Sequence, residues 1–221
     1  MSRPPRRFVV GQAAHVVQRG HNRAPCFFEP ADQALYLSLL VTQARATGCR
    51  IHAYVLMTNH VHLLVTPDRE DTVSVMMQRI GQRYARDLNR KLGRTGGMWD
   101  GRFRAFGIDS DAYALVCHVY IELNPVRAGI VDRPERYRWS SHAANAGLEP
   151  MGFLERHPSM AALGATDVAV TATYRDRVRL GLDELTLASV RHGRGLPPGV
   201  RHVSDTRGGN PLGRATSPAA R

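Results

Sequence analysis

The 221-residue chain is poor in cysteine and lysine and has no long apolar run. Its three cysteines, Cys26, Cys49 and Cys117, are far apart and odd in number. That spacing excludes a disulfide framework or a CxxC metal site, and a reducing cytoplasm is the expected compartment. No stretch approaches the ~20 apolar residues needed to cross a bilayer, so no membrane partner is expected. Met1 to Arg7 is basic, but no apolar segment follows it, and a signal peptide is not expected. Lys91 is the only lysine, so arginine carries nearly all the positive charge. Acid is scarce too: 30 Lys+Arg stand against 19 Asp+Glu, for a net charge of +11 and a pI of about 10.5. Such a balance points to a polyanionic partner, nucleic acid first, and planar arginine forks suit phosphate.

Hydrophobic residues make up 43% of the chain, enough for one sizeable core. Residues 13–19 read as a strand closed by Gly20. Residues 30–47 read as a helix, with Leu35, Leu39 and Leu40 at helical spacing and Gly48 as its stop. Residues 50–57 and 60–66 are two β-rich runs separated by Thr58 and Asn59, which suggests a hairpin. A second helix over 71–92 ends in the glycine-rich stretch 93–97. A fourth strand spans 104–108. A third helix, capped by Asp109 or Ser110, runs to Asn124, where Pro125 is expected to stop it. The order β-α-β-β-α-β predicts an α+β, ferredoxin-like antiparallel sheet with helices on one face, the third helix packing beside the sheet. Residues 1–145 form this domain and 146–190 a short helical extension. The Gly/Pro/Arg-rich residues 191–221 are expected to be disordered.

Three local patterns can carry chemistry. In Asn59-His60-Val61-His62-Leu63-Leu64-Val65, strand alternation puts His60 and His62 on one face and Val61, Leu63 and Val65 on the other. Two imidazoles on a rigid strand make half a metal site, although an HxH pair is also what chance gives among ten histidines. On the third helix Tyr120 and Asn124 are i and i+4 and share a face. They can pair a nucleophile with an amide ligand, or they can be a core tyrosine and a helix end; Tyr113 competes as nucleophile. On the second helix Arg79, Arg83, Arg86 and Arg90 form one stripe, opposite Val73, Met77, Ile80, Tyr84 and Leu88. With only Asp87 to offset them, the arginines read as a phosphate rail. Arg3, Arg6, Arg7, Arg19, Arg23, Arg102 and Arg104 are further basic candidates. Phe27, Phe28, Trp99 and Phe103 lie among them, and any that are exposed can stack on unpaired bases.

Five stretches, taken in order, resemble one family. They are HVVQRGHNR at 15–23, IHAYVLMTNHVHLL at 51–64, NRKLGRTGGMWDGRF at 89–103, YIELNPVRAG at 120–129 and YRWSS at 137–141. The chain resembles the REP-associated tyrosine transposases, within the single-tyrosine HUH transposases of insertion sequences. The resemblance spans residues 8 to about 145. It implies that His60, His62 and Asn124 hold a divalent metal, Mg²⁺ or Mn²⁺, and that Tyr120 rather than Tyr113 is the nucleophile. It also implies a substrate of single-stranded or hairpin DNA from palindromic repeats with a short flanking guide sequence, and a 5′-phosphotyrosine intermediate. Arg3, Arg6 and Arg7 are candidates for guide contacts. Beyond about Leu187 the chain departs from the family, which leaves the tail without an implied role. Monomer and homodimer both remain open. The rival readings are a hairpin DNA- or RNA-binding protein that has lost catalysis, another HUH nickase, and a phosphodiesterase using water as nucleophile.

Overall fold

The computed structural model describes residues 6–181 and 200–202. Strands β1 (Ala14–Arg19), β2 (Cys49–Met57), β3 (His60–Pro67) and β4 (Arg104–Ile108) form an antiparallel sheet with the spatial order β2-β3-β1-β4. Helices α1 (Pro30–Thr47) and α2 (Thr72–Lys91) make the two crossovers, giving the ferredoxin-like order read from the sequence. A short strand β5 (Val200–His202), inside the tail expected to be disordered, pairs with β4 and extends the sheet. The rest of that tail, the end of the extension at 182–190 and Arg3 lie outside the described residues.

Alternation along the strands builds two cores. Ala14, Val16, Val61, Leu63, Val65 and Ala105 point to α1 and α2. Ala53, Val55, Met57, Leu64 and Ile108 point the other way, against α3 (Asp111–Arg127). The third helix therefore packs across the opposite face of the sheet rather than beside it. With both faces covered, β2 and β3 are buried almost throughout. In β2 the parity flips between Ile51 and Tyr54 because the β2–β3 register shifts between Ile51 and Ala53.

α1 centres its buried face on Tyr36, Leu40 and Ala44, with Leu35 and Leu39 half-buried at its flanks. Gly48 ends it in the left-handed conformation, at φ 73°. α2 buries Val73, Met77, Ile80, Tyr84 and Leu88 and leaves all four rail arginines exposed. α3 is apolar nearly all round, because it lies between the sheet and a third layer. Its outer face, Leu115, Val119 and Leu123, meets Met160 and Leu163 together with Val170, Tyr174 and Val178 of α5 (Asp167–Leu180). A single turn, α4 (His142–Asn145), lies between them in sequence.

Ser110 caps α3, its Oγ accepting from the Tyr113 N–H at 3.3 Å. Pro125 does not stop the helix, which continues to Arg127. Proline removes the N–H that Ile121 O would accept. The Asn124 side chain compensates, its Nδ2 donating to Tyr120 O at 2.9 Å and Ile121 O at 3.5 Å. The outer edge of β2 is also covered: Leu56 N–H donates to Trp139 O at 2.9 Å and Ser141 N–H to Tyr54 O at 3.0 Å. The YRWSS stretch thus closes a sheet edge.

Candidate active site

His15, Val17 and Arg19 of β1, His60 and His62 of β3, and Arg104 and Phe106 of β4 point to the α3 side of the sheet. There they line a cleft of about 260 Å³ with Tyr120 and Asn124 of α3 and Asp100 and Arg102 of the loop before β4. The alternation predicted for His60 and His62 holds. The ring centroids of His60 and His62 lie 4.9 Å apart, and that of Tyr120 is 5.7 Å from His62. Tyr113 is buried in the core between α3 and the sheet and does not line the cleft.

Each histidine of the pair is held from behind. His60 Nδ1–H donates to Asn59 Oδ1 at 2.7 Å. Asn59 is itself oriented by its Nδ2, which donates to Arg23 O at 2.9 Å. An amide oxygen can only accept, so the proton sits on His60 Nδ1 and Nε2 keeps its lone pair. His62 Nδ1 lies 2.9 Å from His15 Nε2. If His62 donates there, its Nε2 lone pair is likewise bare, which is the arrangement metal-bound imidazoles use. His15 pairs across the strands with Leu64 and reaches His62 on the diagonal. Burial lowers the pKa of His15 to about 4. Burial, helped by Arg19, lowers His60 to about 4. His62 falls well below the ordinary value, through burial first and then through His15, His60 and Arg19. All three imidazoles are therefore neutral at pH 7, as metal ligation requires.

Asn124, beside the pair in the cleft, could add an oxygen donor. Its Nδ2 is spent on the helix carbonyls, so Oδ1 is the end left to ligate. Two imidazoles, one amide oxygen and a nearby carboxylate, Asp100, suit a divalent ion of borderline hardness such as Mn²⁺, and also Mg²⁺. Sequence reasoning missed His15, Asn59 and Asp100 as site residues. His15 carried one signal: it shares strand parity with Arg19, which was singled out.

The turn after β1 explains the RGHNR stretch. Gly20 N–H donates to Asn59 O at 2.9 Å, and His21 N–H to Met98 O at 2.8 Å. A Cβ on Gly20 would lie 2.3 Å from Ala24 O, so only glycine fits. Asn22 and Arg23 follow at φ 52° and 60°. This turn presents Arg23 O to Asn59.

The predicted arginines fall into separate groups. Arg19, Arg102 and Arg104 line the cleft. Arg79, Arg83 and Arg86 line a groove between α2 and α1, on the other side of the sheet. Arg83 and Arg90 both pair with Asp87. Arg6 is buried, donating to Phe103 O at 2.5 Å and stacking over that ring, and Arg7 pairs with Glu70. Of the aromatics, Phe27 and Phe103 are buried, Trp99 is half-buried and Phe28 is exposed.

Residues 8–124, more than half of the chain, match the family described as IS200-like transposases. The chain belongs to the IS200-like transposase family. Among solved structures, a REP-associated tyrosine transposase bound to a REP hairpin is similar in fold. It has 18% identity and a TM-score of 0.56, over 71% of this chain and 99% of that one. A candidate transposase from Deinococcus radiodurans R1 also matches, at 18% identity and a TM-score of 0.38, over 52% of this chain and 92% of that one. No curated protein matches. Among the described residues of this transposase-family chain, no helix is long and apolar enough to cross a membrane.

Proposed function

We propose that this protein is a metal-dependent endonuclease and strand-transferase acting on single-stranded or hairpin DNA in the cytoplasm, with Tyr120 as nucleophile. The observation that carries the reading is the convergence of Tyr120, His60, His62 and Asn124 in one arginine-lined cleft. His60, His62 and Asn124 would hold Mg²⁺ or Mn²⁺. When bound, the ion supplies Lewis-acid polarisation of the scissile phosphate.

Arg19, Arg102 and Arg104 bind and orient the phosphates of the strand. Tyr120 Oη attacks phosphorus in line, forming a phosphotyrosine bond as the bond to the 3′-oxygen breaks. The phenol proton is lost and the departing 3′-oxygen is protonated, so a free 3′-OH results. The 5′-phosphotyrosine retains the energy of the phosphodiester, and a second 3′-OH can displace the tyrosine and rejoin the strand. A helix-borne tyrosine does not align readily with a phosphate inside a regular duplex, which favours unpaired substrate. The solved REP-associated transposase carries a REP hairpin, which supports hairpin DNA as the substrate class here.

The test is to incubate the protein with Mn²⁺ and a pool of end-labelled hairpin oligonucleotides, and to look for an adduct that survives denaturant. The adduct is expected with wild type and Tyr113→Phe, and not with Tyr120→Phe or His62→Ala. Binding without adduct or cleavage would make the chain a DNA-binding protein that has lost its chemistry. Cleavage that survives Tyr120→Phe would make water the nucleophile.

A further inference from the structure

A second hollow, of about 660 Å³, lies on the α2 side of the sheet, between α2 and the loop before β4. Its wall includes Trp99 and Phe103, and the backbone of Gly96, Gly97 and Gly101 leaves it open. Gln18 of β1 also lines it, on the face of that strand opposite His15 and Arg19. Gln18 is only 7% exposed, and its Oε1 is buried with no hydrogen-bond partner among the described residues. An orphaned buried amide oxygen carries a desolvation cost that a ligand N–H would relieve.

The hollow adjoins both basic sites. Arg102 lines it and also the cleft of Tyr120. Gln82 lines it and also the arginine groove of α2. Arg6 stacks on Phe103, one of the residues lining it. Aromatic surface beside a buried carboxamide is what one unstacked nucleobase requires: a ring to lie against, an acceptor for its N–H, and a donor for the adjacent ring atom.

We propose that this hollow holds one unpaired nucleobase of the DNA strand running from the arginine groove of α2, past Arg102, to the cleft. The base lies against Trp99 and its edge hydrogen-bonds to the Gln18 amide. This assignment rests on the DNA-processing reading above.

Two variants probe the hollow without disturbing the fold. Gln18→Leu keeps the volume and removes an acceptor that has no partner. Gly97→Leu adds a side chain where a Cβ meets nothing within 4 Å. Affinity for hairpin oligonucleotides is measured by anisotropy, while an abasic site is moved one nucleotide at a time through the unpaired flank. In wild type one position is expected to lose about tenfold or more in affinity when its base is removed. Gln18→Leu and Gly97→Leu should bind the intact oligonucleotide about tenfold more weakly and become indifferent to the base at that position, with unchanged melting temperatures. Hairpin binding that tolerates abasic sites uniformly, or variants that keep the wild-type sensitivity, would overturn the pocket alone. Failure of wild type to bind any hairpin would overturn the DNA-processing reading and the pocket with it.

Discussion

Asn59 does not itself line the cleft, yet it determines which nitrogen of His60 is available. Its amide is clamped at one end by Arg23 O and at the other accepts the His60 Nδ1 proton. Asn59→Ala removes that acceptor and frees the imidazole tautomer. The expected result is a loss of about 10–100-fold in Mn²⁺ affinity with little change in melting temperature. His15→Phe, which keeps a ring but has no acceptor for His62, should do the same. A titration following the signal of free Mn²⁺ measures both, and wild-type affinity in both would remove the histidine pair from metal binding.

At this scale the shared face of His60 and His62 was legible, because strand parity needs only the backbone period, and the shared face of Tyr120 and Asn124 for the corresponding helical reason. Their roles came from the family resemblance, not from the spacing. His15 was not legible, because its contact with His62 depends on the β1–β3 register, and pairing between distant strands leaves no local pattern. Gln18 was equally silent, since nothing in HVVQRG shows which of its polar side chains ends without a partner.

Among the elements, α3 carries both the candidate nucleophile and a buried anchor. Glu122, two residues from Tyr120, is fully buried. It accepts from Ser141 Oγ at 2.6 Å, Asn145 Nδ2 at 2.7 Å, Tyr174 OH at 2.7 Å and His142 Nδ1 at 3.0 Å. Burial pushes its carboxyl up, but the hydrogen bonds of His142, Ser141 and Asn145 outweigh that and hold it below the ordinary value. Four donors from the YRWSS stretch, α4 and α5 therefore converge on the helix that presents Tyr120. Glu122→Ala orphans them all and should cost about 3–5 kcal/mol in urea unfolding. Because the folded carboxyl lies below its unfolded value of roughly 4.3, its contribution is present above that pH and is lost as pH falls through the lower folded value. A cost under about 1 kcal/mol would mean that the cluster is not a clamp.

Glu122 could not be picked out from sequence, where it reads as one more helical polar residue. The helix itself was legible up to Asn124. Its continuation through Pro125 was not, because the Asn124 amide donates to Ile121 O, whose backbone donor the proline removes. The third layer was also hidden: α5 is short and mixed in composition, and its pairing with Leu115, Val119 and Leu123 is a tertiary fact.

For the whole molecule, acid sensitivity should come from histidines as well as carboxylates. Burial lowers His52 to about 4, even though His52 bonds to Glu155 O and Thr66 Oγ1. Burial lowers His118 to about 3. In the unfolded chain both regain a value near 6.5. Between roughly pH 4 and 6.5 the unfolded state therefore binds more protons than the folded one, and stability rises with pH. Full stability is expected above about pH 6.5, with a loss on the order of a few kcal/mol by pH 4.5. Urea midpoints across that range check it, and a flat profile would show that these imidazoles take up protons in the folded state.

The sheet is also a partition. Arg79, Arg83 and Arg86 stand on one side of it and His60, His62 and Tyr120 on the other. On the proposed reading, holding DNA and cutting it are separable in inheritance. Decay of the cleft leaves the rail standing, so a descendant that has lost its histidines keeps a surface for the same hairpins and can occupy them without cutting.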